Sequence, residues 1–96
     1  MILHTVVFAL THAPGSAAET AFLNAAKALA AIPQVKKFGQ FRQISAQNDY
    51  AFGFSFEFAD QAAYDAYNVH PAHLAFVRNR WMPEVERYME IDYVPL

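Results

Sequence analysis

Cysteine is absent from all 96 residues, which excludes a disulfide framework, a thiolate metal site and a cysteine nucleophile. Charge is sparse as well: Asp, Glu, Lys and Arg form 17% of the chain, against a usual share of about 25%. Seven basic residues against nine acidic ones give a net charge of −2, and no basic block is longer than Lys36-Lys37. Nucleic acid therefore finds no electrostatic footprint. No apolar run approaches the ~18 residues that span a bilayer. The opening Met1-Ile2-Leu3-His4-Thr5-Val6-Val7-Phe8 lacks the cationic start of a secretory signal and reads as a strand. A cytoplasmic protein without membrane or nucleic-acid partners is expected.

What the chain does have is apolar surface. Hydrophobic residues make up 55% of it and aromatic residues 16%, more than a body this small hides on folding. Residues 1–96 suffice for one domain, so the surplus predicts a homodimer interface, a pocket for a small hydrophobic ligand, or both.

Ile2 to Leu10 places Ile2, His4, Val6, Phe8 and Leu10 on one face and Leu3, Thr5, Val7 and Ala9 on the other. Both faces are mostly apolar, as in a central strand covered on two sides. Ser16-Ala17-Ala18-Glu19 has the spacing of a capping box, and Pro33 ends the helix that follows at about Ala31 or Ile32. Val35 to Ser45 suits an edge strand, with Gly39 available for a bulge. From Asp49 to Phe58 the alternation sets Phe52, Phe54, Phe56 and Phe58 against Ala51, Gly53, Ser55 and Glu57. Asp60 can cap a helix over Gln61 to about Asn68, and Pro71 fits the first position of a further helix ending near Arg80. Tyr88 to Val94 alternates as a fourth strand. The order β-α-β-β-α-β predicts an α+β, ferredoxin-like fold with a four-stranded antiparallel sheet and helices on one face. The uncovered face, apolar in its first strand, predicts sheet-to-sheet pairing of two chains into a dimeric α/β barrel.

Four histidines are the candidates for chemistry. His12 beside Pro14 reads as a solvated loop residue. His4 sits among Val6 and Phe8 and must find a partner, either as a core histidine tied to a backbone carbonyl or as a site residue. His70 and His73 stand three apart at a helix start, with Tyr67 three residues earlier, and admit three readings. A zinc site would need His4 as its third ligand and is disfavoured, so no metal is expected. General acid–base chemistry would use a near-neutral histidine in an apolar pocket, oriented by a phenol. In the third reading His70 caps the helix, His73 bonds to the sheet, and Tyr67 packs.

The chain resembles the stress-responsive A/B barrel domain family, also called Dabb, over nearly its whole length. The resemblance is carried by His4 with Val6-Val7-Phe8, Ile32-Pro33-Gln34-Val35, Asp49-Tyr50-Ala51, Phe58-Ala59-Asp60, Asp92-Tyr93, and above all Tyr67-x-x-His70-Pro71-x-His73. It implies a dimer of ferredoxin-like subunits. By likeness to the family's plant polyketide cyclase, which performs an aldol condensation without a cofactor, it implies His73 as base and Tyr67 as its catalytic partner, with His4 in the pocket. Where that cyclase has a further histidine on the third strand, this chain has Phe52. On this view His4, His70, Phe8, Phe22, Phe52, Phe54 and Phe76 bind substrate and no cofactor is needed. The competing expectation is a non-catalytic dimer that binds a small ligand or serves in stress response, with structural histidines; a cofactor-free oxygenase is a third reading that rests on fold alone.

Overall fold

Strand β1 (Ile2–Leu10) is the hub of the sheet. In the computed structural model, which describes all 96 residues, it is followed by α1 (Ala17–Ala26), which tightens into a 3₁₀ segment over Lys27–Ala31, and by β2 (Lys36–Arg42) and β3 (Phe52–Phe58). Helices α2 (Gln61–Asn68) and α3 (Pro71–Phe76) come next; α3 continues as a π turn over Val77–Trp81 and a last helical turn over Met82–Glu84 before β4 (Val85–Tyr93). The sheet order is β2-β3-β1-β4 with every pair antiparallel, the ferredoxin-like arrangement.

The register sorts the side chains into rows. Arg42–Phe52–Phe8–Tyr88 and Gln40–Phe54–Val6–Glu90 cross the sheet on its inner face, and Phe56–His4–Asp92 continues them. Phe41–Gly53–Val7–Met89 and Gly39–Ser55–Thr5–Ile91 cross it on the outer face. Helices cover the inner rows: Phe22 from α1 and Tyr67 from α2 pack on the sheet aromatics, and Phe76 from α3 packs on Phe22. Phe8, Phe22, Phe56 and Phe58 are completely sealed, whereas Phe41, Met89, Ile91 and Tyr93 on the outer rows stay exposed. One sheet face is therefore core and the other is bare apolar surface, because strand alternation sends successive side chains to opposite sides.

Local signals explain the boundaries. Ser16 caps α1 by accepting from the Glu19 N–H at 3.2 Å, but the return bond of the capping box goes from the Gly15 N–H to the Glu19 carboxylate at 3.1 Å. Gly15 permits this by taking φ of 76°. Asp60 caps α2 through the Ala63 N–H at 2.9 Å.

Four details differ from the sequence reading. The bulge in β2 falls between Lys36 and Gly39, and the residue with positive φ is Lys37 at 51°, not a glycine. Gly39 serves another purpose, since a Cβ there would come within 2.7 Å of the Phe41 ring. β4 begins at Val85 rather than Tyr88, because Val85 still pairs with Leu10 across a register shift. His12 is no free loop residue: its Nε2 lies 2.7 Å from Glu84, whose other oxygen holds Arg80 at 2.9 Å, and the cluster ties the β1–α1 turn to the start of β4.

Candidate active site

Between α3 and the inner face of the sheet lies a cavity of about 230 Å³ whose lining includes His4, Phe54, Phe56, Tyr67, His73 and Glu90. Phe76 and Trp81 complete its apolar walls, with Tyr88 and Asn68 also reaching it. The volume is below the ~300–1,000 Å³ of drug-sized pockets, so an occupant is small.

His73 sits in the first turn of α3, where its Nδ1 lies 3.1 Å from the Asn68 carbonyl oxygen. A carbonyl only accepts, so Nδ1 carries the proton and Nε2 keeps its lone pair. Burial lowers the His73 pKa below its ordinary 6.5, and the nearby His4 and His70 act in the same direction; the Asn68 bond and the Glu90 charge oppose them without reversing the result. The imidazole is thus neutral at neutral pH. Its folded-state pKa is depressed, so His73 favours folding above about 6.5 and weakens it as pH falls through that value. In an NMR titration the His73 ring protons are expected to show a midpoint below 6.5; a midpoint above it would mean that the site is wetter than the geometry describes.

Tyr67 is buried at the end of α2, with its ring centroid 4.3 Å from that of His73. Its side chain lines the cavity. Burial pushes its pKa well above the usual phenol range, and the Glu90 carboxylate adds to the shift. Tyr67 is therefore held as a hydrogen-bond donor.

His4 is buried and held from behind. Its Nδ1 lies 2.6 Å from Asp92 Oδ1 and 2.9 Å from the Tyr64 hydroxyl, which donates to Asp92 Oδ2 at 2.8 Å. The carboxylate fixes the proton on Nδ1 and turns Nε2 toward the cavity. Burial raises the Tyr64 pKa, reinforced by its bond to Asp92 and by the charges of Asp92 and Glu90.

Geometry separates the sequence-predicted residues. His4, Tyr67, His73, Phe54 and Phe76 are brought to one cavity. His70 is not: it is the N-cap of α3, and its Nδ1 accepts from the Ala72 N–H at 3.1 Å. Phe8, Phe22 and Phe52 are core residues outside the lining, where Trp81 covers Phe8 with ring centroids 5.0 Å apart and also packs on Phe22. The third-strand positions that do reach the cavity are Phe54 and Phe56, so β3 contributes no polar group. No three His, Asp or Glu side chains are placed to share a metal ion.

Residues 2–95 match the family model described as the stress responsive A/B barrel domain, Dabb. The chain belongs to the Dabb family. A Dabb protein with a ferredoxin-like fold from Mesorhizobium loti is 64% identical, superposes with a TM-score of 0.96, and the match covers 99% of this chain and 96% of that one. A dimeric ferredoxin-like protein of unknown function from Thermobifida fusca is 23% identical at a TM-score of 0.80, covering 98% of this Dabb chain and 90% of its own. A hydroxynitrile lyase from Passiflora edulis shares the fold at a TM-score of 0.86 and 14% identity, with 99% and 93% of the two chains covered. No curated protein matches in sequence.

The Dabb chain also contains site residues that sequence reasoning missed, namely Asp92, Tyr64, Glu90 and Trp81. A signal for two of them was present. Tyr88, Glu90 and Asp92 alternate on one face of β4, and pairing that strand with β1 puts the two acids beside Val6 and His4. Tyr64 and Trp81 carry no such periodic signature.

Proposed function

We propose that this Dabb protein performs general acid–base chemistry on a small, hydrophobic, enolisable carbonyl compound, in a lyase or cyclase reaction of the polyketide-cyclase kind. The observation that carries the proposal is the pairing of a neutral His73 and a protonated Tyr67 on one small apolar cavity. In this reading Nε2 of His73 removes a proton from the carbon next to the carbonyl. The Tyr67 hydroxyl donates to the carbonyl oxygen as charge moves onto it, and the imidazolium returns the proton to the product. His4, fixed by Asp92 and Tyr64, orients a second oxygen. In the cyclase case the enolate carbon attacks a second carbonyl carbon of the same molecule, the C=O π bond there opens, and its oxygen takes the proton from the imidazolium, so no redox group is needed. The hydroxynitrile lyase from Passiflora edulis shares the fold, and at 14% identity it speaks for the fold alone.

The test is proton exchange. Small enolisable ketones and aldehydes are incubated with the protein in deuterated buffer, and loss of the α-proton signal is followed by NMR. Exchange above the buffer rate is expected with the natural chain. An absence of exchange across the panel, with the fold intact, would favour the non-catalytic ligand-binding reading.

We further propose that two chains pair through the outer sheet face. Phe41, Met89, Ile91 and Tyr93 lie exposed there around Val7, and the Thermobifida fusca relative is dimeric. A charge in the middle of such a patch would be buried without a partner. Ile91→Lys is therefore expected to convert a dimer into a monomer by light scattering; an unchanged mass would place the interface elsewhere.

A further inference from the structure

We infer that the cavity selects a neutral single-ring compound bearing both a carbonyl and a hydroxyl, and that it rejects carboxylates. This deepens the reading above and rests on it only for the location of the site. The argument is an inventory of charge and of hydrogen-bonding groups.

No lysine or arginine lines the cavity, and Glu90 is its one formal charge. The adjacent inward residue of β4, Asp92, stands behind His4 and outside the lining, and adds a second negative charge near the site. Of the arginines next to lining residues, Arg80 pairs with Glu84 at 2.9 Å and Arg87 with Asp49 at 2.6 Å, and Arg78, beside Val77, lies outside the lining. An anionic ligand would lose its water here without gaining a cation, and would lie against like charge.

The hydrogen-bonding groups are also lopsided. His73 holds its Nδ1 proton on the Asn68 carbonyl and offers an Nε2 lone pair, while His4 holds its Nδ1 on Asp92. Glu90 adds two acceptor oxygens. Tyr67 supplies a donor for a carbonyl, but the surplus of acceptors calls for a ligand with a donor of its own, because a polar group that loses water on binding and gains no partner costs affinity. A hydroxyl group meets that need. Phe54, Phe56, Phe76 and Trp81 provide flat walls, and about 230 Å³ admits one ring and short substituents.

Trp81 is the single tryptophan of the chain and lines the cavity, so its indole N–H gives one isolated NMR signal. We would titrate the full-length protein at neutral pH with 3-hydroxybenzaldehyde, 3-hydroxybenzoate and benzaldehyde, which differ only in charge or in the hydroxyl. The hydroxyaldehyde is expected to bind about tenfold more tightly than the hydroxybenzoate and about threefold more tightly than benzaldehyde. In Glu90→Gln the gap between aldehyde and carboxylate should narrow by about threefold. Equal or tighter binding of the carboxylate overturns the inference, and so does a silent Trp81 signal for all probes up to ~10 mM. 3-Hydroxybenzaldehyde has no enolisable proton, so the titration is independent of turnover. Selective binding without any proton exchange would support this ligand class and remove His73 as a base.

Discussion

Replacing His73 with glutamine is expected to lower turnover of an enolisable substrate by about 10²–10⁴-fold, the usual contribution of a positioned general base. Glutamine can keep a hydrogen bond to the Asn68 carbonyl, as His73 does at 3.1 Å, and it fills a similar volume. It has no basic nitrogen. The loss should therefore appear in kcat, with KM and melting temperature nearly unchanged. The pH dependence supplies a second readout. Burial holds the His73 pKa below 6.5, so the acid limb of kcat/KM in the natural chain should fall below that value and should vanish from the residual activity of the variant. Tyr67→Phe should lower the rate while leaving the acid limb in place, since it removes only the donor to the carbonyl oxygen. Retention of most activity in His73→Gln would transfer the base role to His4, the other imidazole with Nε2 open to the cavity.

Phe8→Ala is expected to have the largest effect on stability. Phe8 is fully sealed on the central strand, with ring centroids 4.7 Å from Phe54, 5.0 Å from Trp81, and 5.8 Å from both Phe22 and Phe52. Truncation removes the ring that these four share. Neighbours from α1, β3 and the π turn cannot all close on the space, because each is anchored on a different element. A cost of about 3–5 kcal/mol follows for a sealed phenylalanine. Small domains have ~5–15 kcal/mol in total, so the melting temperature should fall by roughly 15–30 °C at fixed protein concentration. Thermal unfolding followed by circular dichroism measures this. A loss under about 1 kcal/mol would mean that the aromatic cluster repacks as freely as a liquid.

The fold was largely legible because its cues are local and periodic. Strand alternation placed Phe52, Phe54, Phe56 and Phe58 on one face, and all four are buried there. The caps at Ser16 and Asp60 form where the residue types predict them. The site was legible only in part, and each miss has a physical cause. His70 and His73 have the spacing that shares a helix face, but His70 lies before the first turn at φ −65° and ψ 134°, where helical spacing does not apply. Alternation also shows which phenylalanines point inward but not which of them another ring then covers. Trp81 decides that for Phe8 and Phe22. It reaches them from a π turn, whose wider i→i+5 pattern leaves no mark in hydrophobic spacing. The Tyr64–Asp92–His4 network joins residues 88 and 60 positions apart along the chain; the β1–β4 register sets Asp92 beside His4, and the packing of α2 on the sheet adds Tyr64.

The bulge at Lys37 bears on which edges of the sheet can pair with a second chain. The outer strands of the sheet carry opposite charge, with Lys36, Lys37 and Arg42 on β2 and Glu86, Glu90 and Asp92 on β4. Two chains meeting strand to strand would attract, and head-to-tail contacts of that kind have no natural end. At Lys37 the backbone turns to φ of 51° and the ladder loses its register before Gly39, so β2 offers an incoming strand only a short, twisted template. Growth along the sheet is thereby stopped at one end. The broad apolar face is left as the surface through which chains can associate, and a two-fold pairing across it closes on itself after two copies.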